Sequence, residues 1–210
     1  MKIKAAILLL LLGCSKLGMA QRLESFLSTQ STQSYFHVGY VIHELKNENT
    51  LRNFESDWGL SLSVGKTYFL ERRPIADLLK VGIDWSFADL NYSHFNLPWE
   101  TREWIINKFE VGMQVGPAII FYPSSRIRVH TYFRYAPSFS GMYDNQWEAF
   151  GSGFGSYFAA GAKIHFFGKL GAGIEQRWGS SNTTFSGGKV DGAKHKIELK
   201  GPRIFLSFGY

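Results

Sequence analysis

From residue 34 onward the chain reads in a period of two. Phe36, Val38, Tyr40 and Ile42 alternate with Tyr35, His37, Gly39 and Val41, and Trp58, Leu60, Leu62 and Val64 with Gly59, Ser61, Ser63 and Gly65. The longest run sets Phe109, Val111, Met113, Val115, Pro117, Ile119 and Phe121 against Lys108, Glu110, Gly112, Gln114 and Gly116. Such alternation marks a strand with two unlike faces. Eight runs of this kind predict strands near 34–45, 58–70, 78–89, 106–122, 125–136, 153–167, 169–179 and 197–210. The connections alternate as well. Those after strands 2, 4 and 6 are short, and the others are long and polar, as in "KNENTLRNFESD" and "SSNTTFSGGKVDGAKHK". No solenoid period and no interdomain linker interrupts residues 34–210, which predicts one all-β domain.

The two faces settle the solvent. The mostly polar set is rich in Gly and carries mixed charges: Lys80, Asp84, Lys108, Glu110, Arg126, Arg128, Arg134, Lys163, Glu175, Arg177 and Arg203. The apolar set is bulky, aromatic and nearly free of charge. Eight rows of Phe, Ile, Val and Trp would overfill a narrow barrel from within, whereas facing lipid they are what hydrocarbon requires. A sheet edge in hydrocarbon leaves backbone groups unpaired, so the strands must form a closed antiparallel eight-stranded transmembrane β-barrel. On that reading the eleven charges line the interior. Glu110 is expected to pair with Arg128 and Glu175 with Lys163. Trp58, Trp85, Tyr135 and Trp178 are expected near the outer rim, and Tyr68, Phe121, Phe166 and Tyr210 near the inner one. Lys66 and Gln176 fall on the lipid face. A bulge at Gly65 would turn Lys66 inward.

The N-terminus belongs to export. Lys2 and Lys4 precede the apolar run Ala5–Leu12, and Gly18-Met19-Ala20 supplies small residues for cleavage, so residues 1–20 read as a signal peptide. Residues 21–33 then form a short periplasmic segment. Cleavage before Cys14, within the lipobox-like Leu11-Leu12-Gly13-Cys14, is the alternative and would leave a lipidated cysteine. Cys14 is the only cysteine, so no internal disulfide can form. Without the three lysines of residues 1–20 the net charge falls from +6 to +3, 20 Lys+Arg against 17 Asp+Glu, too mild to point to nucleic acid.

With its even strand number, alternating short and long connections and the ending Phe208-Gly209-Tyr210, the chain resembles the small eight-stranded outer-membrane barrels of Gram-negative bacteria, the OmpA/OmpX type. The Ala20-Gln21 junction is similar to those of exported Bacteroidota proteins. The resemblance implies an integral outer-membrane location, short turns in the periplasm and long loops outside. It also implies that Phe208 and Tyr210 act as an assembly signal read by the barrel-assembly machinery.

Chemistry is sparse. His43-Glu44, Ser93-His94 with Asp89, and Asp191 with His195 are the places where a hydrolase could be sought. Neighbouring residues on a strand point to opposite faces, so Ser93 and His94 cannot form a nucleophile–base pair in regular backbone. His37, His43, His130 and His165 are not joined by carboxylates at ligand spacing. The expectation is therefore no enzyme, no cofactor and no metal. An eight-stranded interior is filled by side chains, which argues against a wide pore. What remains are the loops, whose aromatics Trp99, Trp147, Tyr143, Tyr92, Phe95, Phe139 and Phe185 suit contacts with a protein or glycan. The expected function is a surface-exposed binding barrel or an accessory subunit of a larger outer-membrane complex. A lipid-modifying enzyme and a narrow pore are the alternatives, and outer-membrane lipid and lipopolysaccharide are the expected surroundings.

Overall fold

The computed structural model describes residues 31–47, 53–76, 78–98, 103–124, 126–166, 169–188 and 191–209. The proposed signal peptide and its cleavage site, Trp99 and Tyr210 lie outside them. The described residues form ten strands: β1 (Thr32–Val41), β2 (Glu44–Asn47), β3 (Asn53–Glu55), β4 (Trp58–Phe69), β5 (Leu79–Pro98), β6 (Glu103–Ser124), β7 (Ile127–Asp144), β8 (Ala149–Phe166), β9 (Leu170–Ser186) and β10 (Lys194–Gly209). All pairings are antiparallel, and β1 pairs with β10 as well as β4, which makes a ring of eight strands from β1 and β4 to β10.

β2 and β3 belong to the same ring. β1 meets β10 at Val41↔Arg203, and β2 resumes in the same register at Glu44↔Lys200. They are one strand interrupted at Ile42 and His43. β3 and β4 are likewise one strand broken at Ser56 and Asp57. The break is tied internally: the His43 N–H donates to Ser56 Oγ at 2.8 Å, and the Ser56 N–H donates to the His43 carbonyl at 2.7 Å.

The strands run much further outward than alternation within the apolar set predicts. Residues 90–98, 137–144, 180–186 and 194–196, read from sequence as loop, are ladder-paired strand. They form a collar above the lipid belt, and on β6 and β10 the meaning of the two faces reverses there. On β10, Ile204, Leu206 and Phe208 point outward and Arg203 and Ser207 inward; higher up, Lys194, Lys196 and Lys200 point outward and Ile197 and Leu199 inward. β6 makes the same exchange, with Trp104 and Ile106 buried above Lys108 and Glu110. On these two strands apolar side chains seek lipid in the belt and each other in the collar; on β7 and β8 the outward face stays aromatic, with Phe139, Tyr143 and Phe150 exposed.

One irregularity re-phases β5. Val64 pairs with Ala88 and Gly65 with Ser86, so Phe87 is the extra residue of a bulge. Ser86 Oγ donates to the carbonyls of Val64 at 3.3 Å and Ala88 at 3.0 Å. Below it Lys80, Asp84 and Ser86 point inward; above it Asp89, Asn91, Ser93 and Phe95 do. The bulge lies at the expected level but in the neighbouring strand, so β4 keeps its phase. Lys66 therefore stays on the lipid face, its Nζ 5.9 Å from the centre of the Tyr68 ring. Trp85, expected near the rim, sits in the lower half of β5, because that strand continues to Pro98.

Candidate functional site

Inside the belt the ring is filled by polar side chains that meet across it. Asp84 accepts from Tyr35 Oη at 2.5 Å and Thr67 Oγ1 at 2.8 Å, and lies 2.9 Å from the Arg134 guanidinium and 3.3 Å from His130 Nε2. Arg134 donates on to Gln114 Oε1 at 2.8 Å, and Gln114 donates to Asp89 at 2.8 Å. Asp89 accepts from Arg203 at 2.8 Å, Arg203 also binds Glu175, and Tyr132 donates to Glu175 at 2.9 Å. Above this chain Arg177 lies 3.0 Å from Glu110, which also binds Lys108. Aromatic faces line the cations: Arg134 lies 3.6 Å from the Tyr132 ring centre, Lys163 3.8 Å from Tyr35 and Arg177 4.4 Å from Tyr157. Small residues make room for the rings. A Cβ at Gly161 would come within 2.5 Å of Tyr132 Oη.

Two expected pairings are corrected. Glu110 does not meet Arg128. The turn joining β6 to β7 puts Glu110 opposite Ser140, near the outer end, while Arg128 stays near the turn and donates to Gln33 at 3.1 Å. Glu175 turns to Arg203 and Arg134 rather than to Lys163, whose Nζ lies 3.3 Å from His37 Nε2. Of the expected interior charges, Lys80, Asp84, Lys108, Glu110, Arg134, Lys163, Glu175, Arg177 and Arg203 are buried. Arg128 is half-buried, and Arg126 is exposed at the periplasmic turn, outside the ring. Asp89, read from sequence only beside Ser93-His94, is an interior acid that the alternation reading missed. The reversed alternation of Asp89, Asn91 and Ser93 against Leu90, Tyr92 and His94 was its signal.

The collar holds a second, apolar core of Leu45, Phe95, Trp104, Ile106, Met142, Ala149, Tyr157, Phe185, Ile197 and Leu199, with Phe54 and Trp147 packed on it. Its stacking is aromatic: Trp104 lies 5.4 Å from Phe54 and 6.1 Å from Trp147, and Trp147 5.8 Å from Phe185. Phe95, Phe185 and Trp147, expected as surface contacts, thus point inward. A cavity of about 30 Å³ lies within it, bordered by Phe54, Trp104, Asp144 and Trp147. Tyr143 does face outward and is exposed, as is Phe150 beside it.

Asp144 ends β7 at the edge of this core. Its Oδ1 accepts from the N–H groups of Gln146 at 2.9 Å and Trp147 at 3.1 Å, fixing the turn to β8. Burial raises its carboxyl above the ordinary range, against the opposing pull of the Trp104 indole and the two turn amides. A carboxyl raised on folding holds its proton more tightly in the folded state, so it favours folding as pH falls through the range just above the free value of about 3.9. Protease resistance of the collar should therefore increase on mild acidification, and Asp144→Asn should flatten that dependence. An unchanged slope in the variant would assign the effect elsewhere.

One pair has the look of chemistry. Ser93 Oγ lies 2.7 Å from His43 Nδ1, across the ring rather than along one strand. His43-Glu44 and Ser93-His94 are not joined as pairs, since His94 turns outward to Asn107 at 2.9 Å. The Ser93–His43 pair is buried just below the apolar core. Among the described residues no cluster of His, Cys, Asp and Glu is arranged to hold a metal ion.

No family model and no curated protein matches the chain. Solved structures do. Neisserial surface protein A aligns with a TM-score of 0.54 at 9% identity, over 86% of this chain and 100% of that one. Ail of Yersinia pestis aligns at 0.44 and 10% identity, over 86% and 100% of the two chains. The outer-membrane protease OmpT of Escherichia coli aligns at 0.46 and 8% identity, over 85% and 96%. The likeness is one of fold: the chain has the architecture of the small outer-membrane barrels. With its apolar outward belt it is an integral outer-membrane β-barrel.

Proposed function

We propose that this barrel is a non-enzymatic anchor whose collar presents a binding surface to a protein or glycan, either alone or beside a larger outer-membrane protein. The supporting observation is the collar itself. Its strands rise as a paired extension with an apolar core of its own, which makes it a stiff platform rather than a set of loops around an opening. Rigid display of outward aromatics such as Tyr143 and Phe150 suits recognition, because little freedom is lost on binding. Capture from solubilised outer membranes tests this. The intact protein should retain a partner that Tyr143→Ser with Phe150→Ser loses, both forms remaining heat-modifiable; equal retention by both would count against the platform. The interior contacts oppose a pore, and planar bilayers should show no steady conductance.

Ser93 and His43 favour a second reading, a lipid-modifying hydrolase. Two features weigh against it. The apolar core covers the pair, and Glu110, a carboxylate whose charge reaches His43, is already engaged by Lys108 and Arg177. A fluorophosphonate probe should leave Ser93 unlabelled in the membrane-embedded protein. Stoichiometric labelling that disappears in His43→Ala would make the enzyme the better account.

A further inference from the structure

The outer wall of the collar is unevenly clad. On the side of β2 and β10 its outward residues are Lys46, Lys194, Lys196, Glu198 and Lys200. On β7 and β8 they are aromatic. Tyr143 and Phe150 are paired across one rung, and their chain neighbours Met142 and Ala149 point inward into the collar core, so both rings stand above the lipid belt. Phe109, Phe139 and Phe154 join them to the belt below, where the outward rows continue through Val111, Tyr135 and Phe158.

This aromatic face is flat. Its central row is Phe109, Gly141 and Ser152, joined directly by the ladder. The Phe109 ring lies across Gly141, where a Cβ would come within 2.1 Å of Cζ, and it stacks on Phe150 with 6.2 Å between ring centres. Phe139 meets Phe154 edge-on at 5.4 Å. No residue of the face is charged. At about 200 Å² per aromatic side chain the five rings leave roughly 500 Å² exposed, with Phe154 alone 77% exposed. A contiguous apolar patch of that size is typical of interaction sites.

We infer that this face is covered by the same face of a second copy of the chain, in a dimer whose two-fold axis runs along the membrane normal beside Ser152. The inference rests on the reading of the collar as a recognition surface and names what that surface recognises. A copy is singled out by height, charge and area. A partner must carry apolar surface at the same level above its own belt, and a copy inserted in the same sense does so automatically. In an isologous contact each patch meets itself. The uncharged face of β7 and β8 then sets no like charges together, whereas the lysine-bearing wall of β10 would. Two such patches bury about 1,000 Å² in the collar, the lower bound for a specific interface. The rows of Val111, Tyr135 and Phe158 add contact in the belt below. Gly141 and Ser152, small at the centre of the face, let the two sheets approach closely.

The test is disulfide trapping of the full chain in outer-membrane fractions, with copper-phenanthroline as oxidant and non-reducing electrophoresis as readout. A residue beside a two-fold axis meets itself in the partner. Ser152→Cys should therefore run mainly as a covalent dimer. Lys196→Cys, at collar height on the charged wall, should stay monomeric, and so should the parent, whose one cysteine is Cys14. Adding Phe150→Ser and Phe154→Ser to Ser152→Cys should lower the dimer about tenfold with heat-modifiability unchanged. Equal dimer from Ser152→Cys and Lys196→Cys would reduce the contact to random collision and overturn the inference, as would undiminished dimer in the triple variant. A Ser152→Cys chain that stays monomeric, or that is joined to a different protein, would overturn it too. If such a monomeric chain still captures a partner that Tyr143→Ser with Phe150→Ser loses, the platform stands without the dimer; if that capture is also equal, both readings fall.

Discussion

Asp84→Ala is expected to lower the unfolding free energy of the barrel in lipid vesicles by roughly 3–5 kcal/mol, the usual cost of stripping one partner from a buried ion pair. The carboxylate is fully buried and gathers Arg134, His130, Tyr35 and Thr67 around it. Without it Arg134 keeps Glu175 at 3.6 Å and Gln114, which offset a guanidinium poorly. Two hydroxyls also lose their acceptor. Urea unfolding followed by tryptophan fluorescence reads the loss. A change below about half a kcal/mol, the level of an exposed pair, would mean that water reaches this position freely.

Removal of residues 208–210 should have the larger effect in the cell. The ring is joined along Tyr35↔Gly209 to Val41↔Arg203, and the truncation takes away the Tyr35↔Gly209 and Phe36↔Phe208 pairs. It also removes the bond from the Gly209 N–H to the Lys169 carbonyl at 2.6 Å. The freed backbone groups of β1 would face hydrocarbon, where each costs several kcal/mol. The truncated chain should be exported yet fail to accumulate as a heat-modifiable, protease-resistant species, whereas Phe208→Leu should accumulate normally. Full protease protection of the truncated chain in envelope fractions would show that these residues are dispensable to the seam.

The belt was legible in the sequence because lipid imposes one rule on every strand, and the outward rows of β6 and β10 obey it without a break, with Lys66 the one exception on β4. The collar was not, because on β6 and β10 the rule reverses there. Ile197 and Leu199 look like a failing lipid pattern until their neighbours Lys196 and Glu198 are seen to be the solvent face. The bulge at Phe87 hid Asp89 for a related reason, since one added residue exchanges the faces of everything beyond it. The interior partners lay beyond sequence reasoning altogether. Arg203 and Asp89 are 114 residues apart, on strands that are not neighbours, and meet because the ring is narrow. The same geometry brings Ser93 to His43, 50 residues away, while adjacent His94 turns outward.

The reversal of faces along β10 also bears on how the protein sits in membranes of different thickness. At the outer edge the surface passes from Lys200 to Ile204 across a single intervening outward residue, Pro202. Sinking the barrel by one pleat would drag an ammonium group into hydrocarbon. The inner edge is gradual. Leu70 is 67% exposed, Ile75 49% and Leu78 46% in the connection below β4 and β5, and Lys66 has an arm long enough to reach the headgroups from the belt. Mismatch between barrel and bilayer is thus absorbed at the periplasmic side. The protein hangs from its collar: its outward height is fixed, and the inner leaflet does the adjusting.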